Sequence, residues 1–163
     1  MISCIDIDAA VTQAVDESIA EFFRTMLNVE VAQVQQHAKV LDAPGPSGFQ
    51  QEISTLVGLS GDLTGAICVS MDKSTAFTIV RELMGNEYES IDQTVVDGVG
   101  EVGNIVTGGA KRRLSETMRI QSAWPTVVLG SHECLLFPAT ARLTTLHYRY
   151  RDYDFVALIG VSS

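Results

Sequence analysis

The chain is short of cysteine, of positive charge and of long apolar runs, and each shortage removes a class of function. Its three cysteines, Cys4, Cys68 and Cys134, form an odd, widely spaced set without a CxxC pair, so no cysteine-based metal motif is expected. His37, His132 and His147 are equally scattered, and no zinc site is expected from them. Cys68 lies in a strand-like run and reads as a buried thiol. Only 11 Lys and Arg stand against 20 Asp and Glu, a net charge of −9 with a pI near 4.6. Such a balance repels phosphate backbones, so nucleic acid is not an expected partner. The one local basic group, Lys111, Arg112 and Arg113, falls at the end of a helical pattern, where cations suit the dipole without any ligand. No segment approaches the ~20 apolar residues of a membrane span. Residues 1–11 contain Asp6 and Asp8 but no Lys or Arg, so no secretory leader is expected. The expected location is the cytoplasm, with no membrane partner.

What is there is the material of one globular unit. The 163 residues are 46% hydrophobic and 19% charged, and a chain of this length buries roughly 70% of the surface exposed when unfolded. A single domain over residues 1–163 is expected. A helix is predicted over residues 8–27, with Val11, Val15, Ile19, Phe22, Phe23 and Met26 at helical spacing. Residues 29–34 alternate like a strand, and the Pro/Gly-rich residues 43–48 read as a surface loop. Residues 52–59 and 63–71 form a predicted hairpin around Ser60, Gly61 and Asp62. Asp72 caps a second predicted helix ending at Gly85, with Phe77, Val80, Leu83 and Met84 inward. A third is predicted over residues 92–116. Strand-like segments at 119–129, 134–150 and 155–161 complete the chain, the last two as a hairpin. This order is not the regular alternation of a doubly wound parallel sheet. It predicts an α+β fold, with helices packed on a mainly antiparallel sheet, and the recurrence of helix-then-strand blocks hints at internal duplication.

The third helix carries the chemistry. At about 100° per residue, Val95, Val99, Val102, Val106 and Ala110 make one apolar stripe. Asp97, Glu101, Asn104, Gly108 and Lys111 make another on the opposite side. Glu101 and Asn104 are i, i+3 neighbours, with Cβ atoms about 5–6 Å apart. Five glycines, Gly98, Gly100, Gly103, Gly108 and Gly109, interrupt the helix, each at roughly 0.5–1 kcal/mol relative to alanine. Gly103 lies near the apolar stripe and predicts close packing on the sheet. Gly100 and Gly108 flank the Glu101/Asn104 stripe and predict a surface that another protein can approach.

The segment from Asp97 to Asn104 resembles the Asp/Ser-x3-Glu-x2-Asn signature of the CheC, CheX and FliY phosphatases. Pro125 stands near the place of that signature's proline, twenty residues beyond Asn104 rather than at the commonest spacing. Upstream, the run from Gly58 to Gly65 and the helix ending Glu82, Leu83, Met84, Gly85 also look CheX-like. In the first helix the corresponding positions are Glu17, Glu21 and Arg24; Arg stands where Asn is needed, which implies one competent site, the CheX pattern. The resemblance implies a CheC-like domain hydrolysing the aspartyl phosphate of a CheY-like response regulator. Asn104 would position the attacking water, Glu101 would dock to the receiver-domain Lys, and Asp97, Gly100 and Gly108 would serve partner docking. It implies no cofactor or metal in this chain, Mg2+ in the partner receiver domain, and a homodimer joined through the β-sheet. The competing reading is a non-catalytic module that binds receiver domains or flagellar switch components. An unrelated hydrolase finds no support, since no Ser/His/Asp set or P-loop is recognisable.

Overall fold

A computed structural model describes residues 6–40, 45–48, 51–130 and 134–162 of the chain. Cys4 and His132 lie outside the described residues. The element order is α1 (Ile7–Met26), β1 (Ala32–Val40), β2 (Gly45–Gly48), β3 (Ile53–Gly61), β4 (Thr64–Met71), α2 (Lys73–Met84), α3 (Gln93–Leu114), β5 (Ile120–Ser122), β6 (Thr126–Leu129), β7 (Cys134–Phe137), β8 (Arg142–Tyr150) and β9 (Tyr153–Ser162). Each helix starts on an aspartate whose carboxylate accepts a backbone N–H of the first turn. Asp6 takes Ala9 N at 3.4 Å, Asp72 takes Thr75 N at 2.7 Å and Asp92 takes Val95 N at 2.9 Å. These bonds satisfy donors that a helix start leaves without intrahelical partners.

Seven strands form one antiparallel sheet in the order β1-β8-β9-β4-β3-β5, with β6 also paired to β3. The architecture is therefore α+β with a mainly antiparallel sheet. Two long hairpins, β3–β4 and β8–β9, join side by side through β4 and β9. Strand alternation then separates two cores. Ile67, Val69 and Met71 of β4 join the helices in the main one, while Cys68 between them belongs to a smaller cluster with Phe137, Ala141, Leu143 and Leu158.

α1 and α3 lie against each other. The Ser18 hydroxyl donates to the Val106 carbonyl oxygen at 2.7 Å, in a buried contact. Arg113 donates to Glu17 at 3.2 Å and to Glu21 at 2.7 Å, and Arg112 reaches Glu21 at 2.9 Å. The basic end of α3 is thus tied to α1, and these arginines hold the Glu21 carboxyl below its ordinary range.

Several boundaries differ from the sequence expectation. The predicted strand at 29–34 is displaced to Ala32–Val40 and is exposed along its whole length. An edge strand exposed throughout carries no burial to imprint alternation. Residues 45–48, expected as loop, pair with Cys134–Phe137 instead. The segment 119–129 is divided into β5 and β6 around Pro125, and 134–150 is divided into β7 and β8, with Thr140 between them at φ 71°. Met26 and Met84, expected inside, are about half exposed, while Leu27, Ala76 and Ile79 fill the core.

Candidate functional site

α3 presents its two stripes as the spacing requires. Val95, Val99, Val102, Val106 and Ala110 are all buried, whereas Asp97, Glu101, Asn104 and Gly108 are exposed. Close contact with the sheet is what fixes the helix. A Cβ on buried Gly103 would overlap Thr55 Oγ1 on β3 and lie 2.8 Å from its Cγ2, so only glycine permits this approach. Thr55 is itself fully buried, and β3 is paired on both sides of it, to Val69 of β4 and Val127 of β6. Asn104 therefore projects from a helix segment seated on the most constrained strand of the sheet.

Glu101 and Asn104 line a cleft of about 320 Å³ together with Val96, Asp97, Gly100, Trp124, Pro125 and Val127. One wall is α3; the other is the short link between β5 and β6. The remaining polar side chains of the stripe are engaged. Asp97 accepts from Gln93 Nε2 at 2.7 Å, and Lys111 donates to Ser122 at 3.3 Å. Among the described residues neither Glu101 nor Asn104 has a side-chain hydrogen bond or ion pair, so a carboxylate and a primary amide stand side by side, open to an incoming group.

The two glycines expected to clear this surface behave differently. Gly108 is exposed, and a Cβ there would meet nothing within 4 Å. Gly100 is buried, and a Cβ there would lie 3.4 Å from Val127 Cγ2. It is part of the cleft floor rather than an open approach. Trp124 was not singled out by the sequence pattern; its exposure at the rim follows from the course of the link between β5 and β6. The only signal for it is its position next to Pro125.

The corresponding positions on α1 are closed. Glu21, which matches Glu101 in the spacing of the first helix, is taken up by Arg112 and Arg113, and Arg24 is exposed where Asn104 has its counterpart. Among the described residues no group of three or more His, Cys, Asp or Glu side chains could hold a metal ion. No described helix is long and apolar enough to cross a membrane.

A family model described as chemotaxis phosphatase CheX matches residues 53–144, a span that contains all of α3 and the β5–β6 link. The chain belongs to this family. It is 27% identical over 125 residues to the CheY-P phosphatase CheX of Thermotoga maritima, covering 76% of this chain and 77% of that relative. In fold it is similar to a CheC-like superfamily protein from Shewanella sp. PV-4, with a TM-score of 0.82, 24% identity, and coverage of 94% of this chain and 98% of the other. The CheX-CheY-BeF3-Mg2+ complex from Borrelia burgdorferi contains a chain that superimposes with a TM-score of 0.68 at 23% identity, covering 98% of this chain and 99% of that one.

Proposed function

We propose that this CheX-family chain hydrolyses the aspartyl phosphate of a CheY-like response regulator at the Glu101/Asn104 cleft. The observation that carries the reading is the exposed, unengaged Glu101 and Asn104 pair on a helix pinned to the sheet. Membership of the CheX family and the CheY-P phosphatase activity in the name of the Thermotoga relative support it.

In the reaction, a water oxygen attacks phosphorus while the bond from phosphorus to the receiver's aspartyl oxygen breaks. The receiver regains its carboxylate, inorganic phosphate leaves, and the water's proton passes to phosphate or solvent. The transition state is loose, so catalysis is chiefly positioning and charge stabilisation. The Asn104 amide is not a base at neutral pH, but it both accepts and donates, which orients a water. Glu101 pairs with the Lys that receiver domains keep beside the phosphoryl group and fixes the register of docking. Exposed Gly108 leaves room for the partner, Asp97 borders the contact, and Gly100 keeps the cleft floor low. Mg2+ belongs to the receiver's acidic pocket. In the cytoplasm, where response regulators work, two copies join through the sheet. β1 is an exposed edge with Val34 and Val40 more than half exposed, and such an edge is open to strand addition.

Decay of a phosphorylated receiver from the same cell tests the reading. Catalytic amounts of the wild-type chain accelerate decay, and Asn104→Ala returns it to the receiver's own rate with little change in affinity. Glu101→Ala raises KM about tenfold, the loss of one charge-assisted hydrogen bond. Unchanged decay with every candidate receiver refutes the enzyme and leaves a binding module. A monomer mass in light scattering at all concentrations refutes the sheet-mediated dimer.

A further inference from the structure

The most exposed large apolar side chain described is Trp124, at 90% of its full accessible surface. It is the only tryptophan in the chain. Its removal from water has no role in the fold, because the fold leaves it in water. Its backbone, by contrast, is held from both directions. β5 pairs with residues 59–61 of β3, β6 pairs with residues 53–56 of the same strand, and Ala123 N donates to the Gly58 carbonyl oxygen at 2.9 Å between them. Pro125 follows directly, fixing its own φ and restricting the residue before it. The indole is therefore exposed but carried on an anchored, conformationally narrow link.

That link is the wall of the cleft opposite α3. Trp124 lines it with Glu101 and Asn104, and Val96, Pro125 and Val127 give it apolar surface. Anything that brings a phosphoryl group to Asn104 must come down beside the indole. Tryptophan dominates protein interfaces where it is presented rigidly and loses its hydration on docking, since it buries 150–250 Å² with few rotamers to freeze. We infer that Trp124 is the apolar anchor of the interface with the receiver domain, packing on aliphatic surface that borders the receiver's phosphorylation pocket. Glu101 and Asn104 supply chemistry and register; Trp124 supplies affinity. The inference rests on the proposed function for the identity of the partner, and it adds an affinity-determining residue outside the Glu/Asn motif.

The lone tryptophan makes its own probe. Emission is recorded while a receiver domain, its tryptophans replaced by phenylalanine, is added in the beryllofluoride and Mg2+ form. A blue shift with protection from acrylamide quenching is expected. In the decay assay Trp124→Ala raises KM at least about tenfold with kcat within about twofold, the scale of an interface anchor. Trp124→Phe recovers most of the loss. A KM unchanged in Trp124→Ala while Asn104→Ala still abolishes turnover overturns the anchor and leaves the proposed function intact. Emission that does not move on saturation with receiver overturns it as well. A wild-type chain without phosphatase activity brings down the proposed function alone, because the emission change still decides whether the indole is covered.

Discussion

Exchanging single glycines for alanine along α3 separates two kinds of surface on one helix. At Gly103 an added Cβ overlaps Thr55 Oγ1 and lies 2.8 Å from Cγ2 and 3.1 Å from Cβ of the same residue. Thr55 has no exposed surface, and its strand is paired on both sides. Rotating its side chain still leaves the Cβ contact tight, so relief requires that α3 lift from the sheet. Forcing one methyl into such a site costs about 1–3 kcal/mol. Alanine's better helix propensity returns about 0.8–1 kcal/mol. At Gly108 the same methyl meets nothing within 4 Å, so only the propensity gain remains. The difference between Gly103→Ala and Gly108→Ala cancels propensity and isolates overpacking, at about 1–3 kcal/mol. With a urea slope of about 2 kcal/mol/M, the two midpoints separate by about 0.5–1.5 M, Gly108→Ala being the more stable. Thr55→Ala removes Oγ1, which has no partner among the described residues, together with Cγ2. On that background the Gly103→Ala penalty falls by about half, a coupling a double-mutant cycle measures. Equal midpoints for the two alanine variants, or a Gly103→Ala penalty indifferent to Thr55, refute the close seating of α3. Because Asn104 follows Gly103 directly, Gly103→Ala also lowers phosphatase kcat.

Two further predictions concern alkaline stability and the first helix. Burial pushes the Cys68 thiol from 9.0 up to about 12, the Ser54 hydroxyl offsetting only part of the shift. Burial and the bond to Asp16 raise Tyr148 as well. Both groups are raised in the folded state, so their contribution is complete below the unfolded pKa and lost as pH rises through the folded one. Urea midpoints therefore fall between pH 9 and 12, the thiol contributing about 1.4 kcal/mol per pH unit. A Cys68→Val variant with an undiminished fall contradicts this assignment. In the first helix, Arg24→Asn on the Asn104→Ala background stays inactive in single-turnover dephosphorylation, because Glu21 remains held by Arg112 and Arg113. Recovered turnover there means that the arginines do not close the α1 position.

The sequence by itself determined the helices and which side of α3 is exposed. Helical periodicity, the Asp72 cap and a glycine near the apolar stripe are local signals. They place the stripe of Val95, Val99, Val102, Val106 and Ala110 inside, and Glu101 and Asn104 outside, without reference to any distant strand. Tertiary structure decided what those two residues face. The extent of β1 is not marked by alternation, since every one of its residues is exposed and no buried face imprints a period. The β2–β7 ribbon joins segments almost ninety residues apart and leaves no local mark on a Pro/Gly-rich run. Whether Gly100 is floor or open surface depends on Val127, and Val127 is placed only by pairing with Thr55. The same pairing of β3 with both β5 and β6 carries Trp124 to the rim beside Asn104. A periodic pattern records which way a side chain points; the wall it points along is set by strand pairings far away in the chain.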